Sequence, residues 1–212
     1  MASEEQPLWS KLDRKSHEEF PVYLDDTDDC YYAREYIAGG GFQASEANRL
    51  ISNFKKGVER RDKEYEWRHR VRAVNQFALE LRLLLPKNST VASIPSSKYL
   101  SDPEYDNRFE DMFSALKQLR PDIKIETPLS AISSIVPSHH GGTRHPDKIL
   151  KNLSWNGFQR GVPRHIILVD DVITSGGHFK ACKDLIEENC PEICVLGIFW
   201  ARRVEPKKDV FE

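Results

Sequence analysis

The residues whose types could do chemistry crowd into one stretch, HIILVDDVITSGGHFKACKDLI, residues 165–186. An apolar run ends on two adjacent carboxylates, Asp170 and Asp171. Hydroxyls and glycines follow as Thr174, Ser175, Gly176 and Gly177, and a helical pattern then begins. Small residues let backbone N–H groups approach an anion, and the N-terminus of the following helix adds the positive end of its dipole. Two neighbouring acids would repel that anion, so they should serve another part of the ligand: sugar hydroxyls, or a Mg2+ ion. An apolar run before two acids also looks like a Walker B strand. That reading requires a GxxxxGK[ST] loop, and Gly141-Gly142-Thr143-Arg144 is not followed by Lys-Ser/Thr. A GxGxxG dinucleotide fingerprint is equally absent. The plain alternative is an ordinary strand–turn–helix with solvated aspartates.

Hydrophobic period identifies the elements that must position this stretch. His165–Val169 and Ile193–Trp200 are compact apolar runs, and the residues from about Gly177 to Asn189 form a helix between them. Upstream, Thr90–Ile94 and Ile123–Ile125 are short strand candidates. Phe109, Met112, Phe113, Leu116 and Leu119 mark a helix between these two. Trp67, Val71, Val74, Ala78, Leu81 and Leu85 make one apolar stripe on a helix over about 62–85, which Pro86 stops. Ser45 can N-cap an earlier helix running to about Lys56. Strand, helix, strand, long excursion, strand, helix, strand is the order of a parallel sheet covered on both faces. The excursion, about 127–163, is too long for a simple connector and is of the kind that often forms a functional lid.

The expected organisation is an acidic flexible tail at 1–29, a mostly helical layer or hood at 30–86, an α/β core at 87–204 and a tail at 205–212. The first of these carries nine acids against three bases. Over all 212 residues, 31 basic and 33 acidic side chains leave a net charge of −2. That near-neutral balance argues against a nucleic-acid binder, even one using the bases of 55–72. The longest apolar run, Ile193–Ala201, is interrupted by Gly197. It falls well short of the roughly 20 residues of a membrane helix. The N-terminus lacks the pattern of a secretory signal, and Cys30, Cys182, Cys190 and Cys194 form no CxxC. Reduced thiols in a cytoplasmic protein are the expectation.

The sequence ILVDDVITSGG resembles the fingerprint of type I phosphoribosyltransferases: four apolar residues, two acids, an apolar pair and T-[TS]-G. VASIPSSK, residues 91–98, resembles their first strand and pyrophosphate loop. PSHHGGTRHPDKILKNLSWNGF and IPSSKYLSDPEYDNRF look like the competence-protein-F branch. The similarity covers about residues 87–204, and the branch's usual zinc-binding cysteines are missing. The resemblance implies a Rossmann-like α/β parallel sheet of the type I phosphoribosyltransferase fold, with the N-terminal helical layer added. It implies Mg2+-dependent transfer of a phosphoribosyl group from 5-phosphoribosyl pyrophosphate (PRPP) to a nitrogen acceptor such as a nucleobase. The product would be a nucleoside monophosphate.

Carried over residue by residue, Asp170 and Asp171 would hold the ribose 2′- and 3′-hydroxyls and meet the metal through ligand or water. Thr174, Ser175, Gly176 and Gly177 would hold the 5′-phosphate, and Ser96, Ser97 and Lys98 would face the pyrophosphate. His139, His140 and Arg144 would close as a lid, with a polar surface loop as the alternative. One departure is His178, where the family usually has Thr; its imidazole can still donate to phosphate. For the base-recognition hood the candidates are Tyr31, Tyr32, Tyr36, Phe42 and Trp200, against ordinary core packing. A catalytically silent PRPP- or nucleotide-binding regulator on the same fold is the second hypothesis. Whether the N-terminal helices cap the site or form a homodimer interface stays open.

Overall fold

The computed structural model describes residues 9–15, 20–96, 98–134 and 144–206. The α/β class and the parallel sheet are as expected. In chain order the elements are β1 (Ser10–Lys11), β2 (Asp29–Ile37), α1 (Glu46–Phe54), a 3-10 turn (Val58–Arg60), α2 (Glu64–Leu84), β3 (Thr90–Ser93) and α3 (Arg108–Leu119). There follow β4 (Lys124–Ile125), β5 (Leu129–Ala131), α4 (Pro146–Leu150), β6 (Leu153–Trp155), β7 (His165–Ile173), α5 (Gly177–Asn189) and β8 (Cys194–Val204). The main sheet runs β1-β2-β8-β7-β3-β4, and β5 pairs with β6 as a separate two-stranded antiparallel sheet. Every pairing in the main sheet is parallel except β1 with β2.

Strand residues alternate between two apolar layers, as the pleat requires. Val91, Val169, Ile198 and Trp200 face α1, α2 and α3; Ala92, Leu168 and Phe199 face α5. The sheet is therefore covered on both sides, and its central strands read as continuous apolar runs. The Ser45 cap forms, its Oγ accepting the Asn48 N–H at 3.0 Å.

Three departures from expectation have physical causes. The stretch from Asp29 to Ile37 is a long strand of the main sheet, parallel to β8, rather than part of a helical layer. Its inward residues Cys30 and Tyr32 are buried, while its outer residues stay half open, as an outer strand allows. The described residues of the acidic N-terminal segment are docked as well. Lys11 pairs with Tyr31 in the sheet, Leu12 and Leu24 are buried, and Asp28 takes the ammonium of Lys183 at 2.6 Å. Finally, the buried face of α2 runs through Arg70, Ala73, Val74, Phe77, Ala78 and Leu81, while Val71 is 45% exposed. The stripe is rotated because Phe77 stacks on Trp200 at 4.0 Å between ring centroids and Arg70 finds buried partners.

Candidate functional site

β7 is a buried apolar strand until Asp170, where the chain reaches the carboxyl edge of the sheet. Ligands of open α/β sheets bind at that edge. Because successive residues point to opposite faces, the two acids separate. Asp170 lies across from Phe199, on the α5 side. Asp171 lies on the other side, toward α1 and α3, and both of its carboxylate oxygens are already held. Lys55 Nζ is 2.8 Å from Oδ1, and Arg108 Nη2 is 3.1 Å from Oδ2.

These two cations are themselves held in place. Arg108 pairs with Asp106 at 2.7 Å, and its guanidinium lies over the rings of Phe54 and Phe109. Fully buried Arg70 takes the other oxygen of Asp106 at 2.7 Å and donates to the carbonyls of Phe54 and Lys56. Arg70 thus clamps the chain on both sides of Lys55. The result is a row of alternating charge, Arg70–Asp106–Arg108–Asp171–Lys55, joining all three N-terminal helices to the end of β7.

The electrostatics follow. Burial raises the Asp171 carboxyl, but Lys55 and Arg108 outweigh it and hold the group below the usual carboxylate range. Burial, then the neighbouring Asp171 charge, pushes Asp170 up to about 7. Asp170 Oδ1 accepts the backbone N–H of Asp171 at 2.8 Å. Among the described residues no three His, Cys, Asp or Glu side chains gather where they could hold a metal ion. With Asp171 committed to two cations, the residues present do not fit a directly ligated magnesium.

Gly176 turns the chain into α5 with φ +79°, a left-handed conformation suited to glycine. Close approach also demands the two glycines. A Cβ at Gly177 would sit 2.0 Å from the carbonyl oxygen of Arg144, and one at Gly176 would sit 2.7 Å from the Leu24 side chain. The Tyr23 N–H bonds the carbonyl of Ser175 at 3.0 Å. The small residues therefore admit the protein's own chain. Thr174, Ser175 and Arg144 line a cavity of about 260 Å³ with Phe20, Arg203 and Glu205. His178, half-buried in the first turn of α5, is held below the ordinary histidine range by burial. Asp171 opposes that shift.

β3 ends beside β7, with the Ile94 N–H on the carbonyl of Val169 at 3.0 Å, so the segment carrying Ser96 and Lys98 leaves from the same sheet edge. Ser96 Oγ accepts the backbone N–H of Lys98 at 3.1 Å, and the Lys98 ammonium pairs with Glu104 at 2.5 Å. Ser97, His139 and His140 lie outside the described residues. Trp200, a hood candidate, is instead completely buried among Phe54, Phe77 and Phe109. Of the other hood candidates, Tyr32 is buried, Tyr31 and Tyr36 are half-buried, and Phe42 is 44% exposed. Sequence reasoning missed Lys55, Arg108 and Arg203, since each is one of 31 basic residues with no distinctive spacing.

No family model matches the sequence, and no curated protein matches it. Among solved structures the chain is similar to the Helicobacter pylori xanthine-guanine-hypoxanthine phosphoribosyltransferase. The identity is 9% and the TM-score 0.36, over 65% of this chain and 85% of that one. No described helix is long and apolar enough to cross a membrane.

Proposed function

We propose that the protein binds PRPP, entering with its own magnesium, and transfers the phosphoribosyl group to a nitrogen acceptor such as a nucleobase, releasing pyrophosphate. The observation that carries this reading is the edge formed by β7 and α5. There a carboxylate, Asp170, stands in the last part of β7, and a glycine turn at a helix N-terminus follows the strand at the carboxyl end of the parallel sheet. The two halves suit two parts of one ligand. Asp170 accepts from the ribose hydroxyls, with Asp171 fixing the strand end behind it. Thr174, Ser175, Gly176 and Gly177, with His178 and Arg144, face the 5′-phosphate. Ser96, Ser97 and Lys98 face the pyrophosphate, and His139 and His140 close over it. Magnesium belongs to the ligand here, as the counter-ion of its pyrophosphate.

In the reaction the bond from ribose C1 to the pyrophosphate oxygen breaks, and the oxygen keeps the electron pair. The acceptor nitrogen forms the new bond at C1, and the proton it gives up passes to the departing pyrophosphate or to water. Positioning and water exclusion are the protein's share of that work. The reading carries a cytoplasmic location with it.

Calorimetry with PRPP and magnesium tests the binding. No heat for the wild-type protein, or equal heat for an Asp170→Asn/Asp171→Asn variant, would sink the proposal. Pyrophosphate release is then screened across purines, pyrimidines, nicotinamide and small amines. Tight binding with no release for any acceptor identifies the silent PRPP- or nucleotide-binding regulator instead.

A further inference from the structure

We propose that Lys55 is a substrate-binding residue, whose ammonium bridges Asp171 to the anionic group on C1 of a bound ribose phosphate. The inference rests on the phosphoribosyl reading above and deepens it. Lys55 differs from the surface lysines around it in being built into place. It follows the last residue of α1, and buried Arg70 grips the carbonyls of Phe54 and Lys56 on either side, at 3.3 and 3.2 Å. Its ammonium reaches the end of β7 with the side chain still 40% exposed.

An ammonium has three N–H donors, and Asp171 is the one side-chain partner of Lys55 among the described residues. Donors therefore remain for a ligand. Arg108 differs: it is locked by Asp106 and mostly buried, which leaves it to hold Asp171 rather than to meet a ligand. The two proposed anion sites meet at the carboxyl edge of the sheet, where His178 of α5 feels the charges of both Asp171 and Lys55. The glycine turn and α5 lie on one face, while Lys55 approaches Asp171 from the face of α1 and α3. A ligand with a sugar between two anionic groups fits this arrangement, with one anion in the turn and the other at Lys55. Such a lysine supplies positive charge next to an acid pair whose geometry does not suit a resident metal ion.

The test compares two probes on the full chain: PRPP, which carries the C1 anion, and ribose 5-phosphate, which lacks it. Calorimetric affinities are measured for wild type, Lys55→Met and Lys55→Arg. Losing one charge-assisted contact should weaken PRPP by about tenfold in Lys55→Met. Ribose 5-phosphate should stay within about threefold of wild type, and Lys55→Arg should restore most of the PRPP affinity. Because both probes are read on the same variant, a general loss of structure cannot imitate this selectivity. Equal loss for both probes, or loss for neither, overturns the role of Lys55 and leaves the phosphoribosyl reading standing. A wild-type protein that binds neither probe overturns both.

Discussion

Replacing Arg108 by Met removes one of two cations from a buried carboxylate. Deleting one partner of a fully buried ion pair costs about 3–5 kcal/mol, because the remaining charge is left uncompensated. Here Asp171 keeps Lys55 at 2.8 Å, and Asp106 keeps Arg70 at 2.7 Å. The Arg108 side chain is also 19% exposed, so water screens part of the interaction. The expected loss is therefore about 2 kcal/mol, which in a domain of this size lowers Tm by about 4–8 °C. Circular dichroism melts read this directly, and the pH dependence supplies the sign. Asp171 is held below its unfolded carboxylate value, so its pairing stabilises the fold above that value and is lost as pH falls through the folded one. The gap between wild type and Arg108→Met should accordingly narrow toward acid. A double variant with Asp171→Asn should recover about 1 kcal/mol of the loss. An unchanged Tm at neutral pH, or strict additivity in the double variant, would refute the alternating-charge row.

Other expectations follow from the same geometry. Because burial and Asp171 raise Asp170 to about 7, ribose-phosphate affinity should increase as pH rises through that value, and Asp170→Asn should flatten the profile in calorimetry. Gly177→Ala drives a methyl into the Arg144 backbone carbonyl, which cannot yield as a side chain would. Overpacking of that kind costs about 1–3 kcal/mol in thermal melts. Asp28→Ala leaves Lys183, whose side chain is 9% exposed, with only the longer contact to Glu187 at 3.8 Å, and should cost about 2 kcal/mol. Proteolysis within residues 20–28 should increase with it, and unaltered cleavage would show that the segment is held by other contacts.

What the sequence revealed depended on whether the physics was local. The β7–turn–α5 unit was legible because an apolar run, two acids and a glycine turn occur consecutively. The Ser45 cap was legible for the same reason. The rotation of α2 was hidden because Arg70 reads as a surface residue, yet its buried guanidinium meets the carbonyls of Phe54 and Lys56 and the carboxylate of Asp106. β2 was hidden because its parallel partner, β8, lies far along the chain. Lys55 and Arg108 were hidden because an ion pair across distant segments imposes no spacing on the sequence.

The pairing of β2 with β8 also bears on the order in which the protein can assemble. In the order of synthesis the segment carrying Leu24, Asp28 and β2 precedes its neighbours α5 and β8. Asp28 and Lys183 alone are separated by 155 positions. Closing so large a loop is entropically costly and slow compared with forming local helices. During synthesis, Leu12, Leu24, Cys30 and Tyr32 must therefore wait without the layer that buries them. A chain stopped before Cys194 would leave β2 without the parallel neighbour on which it depends.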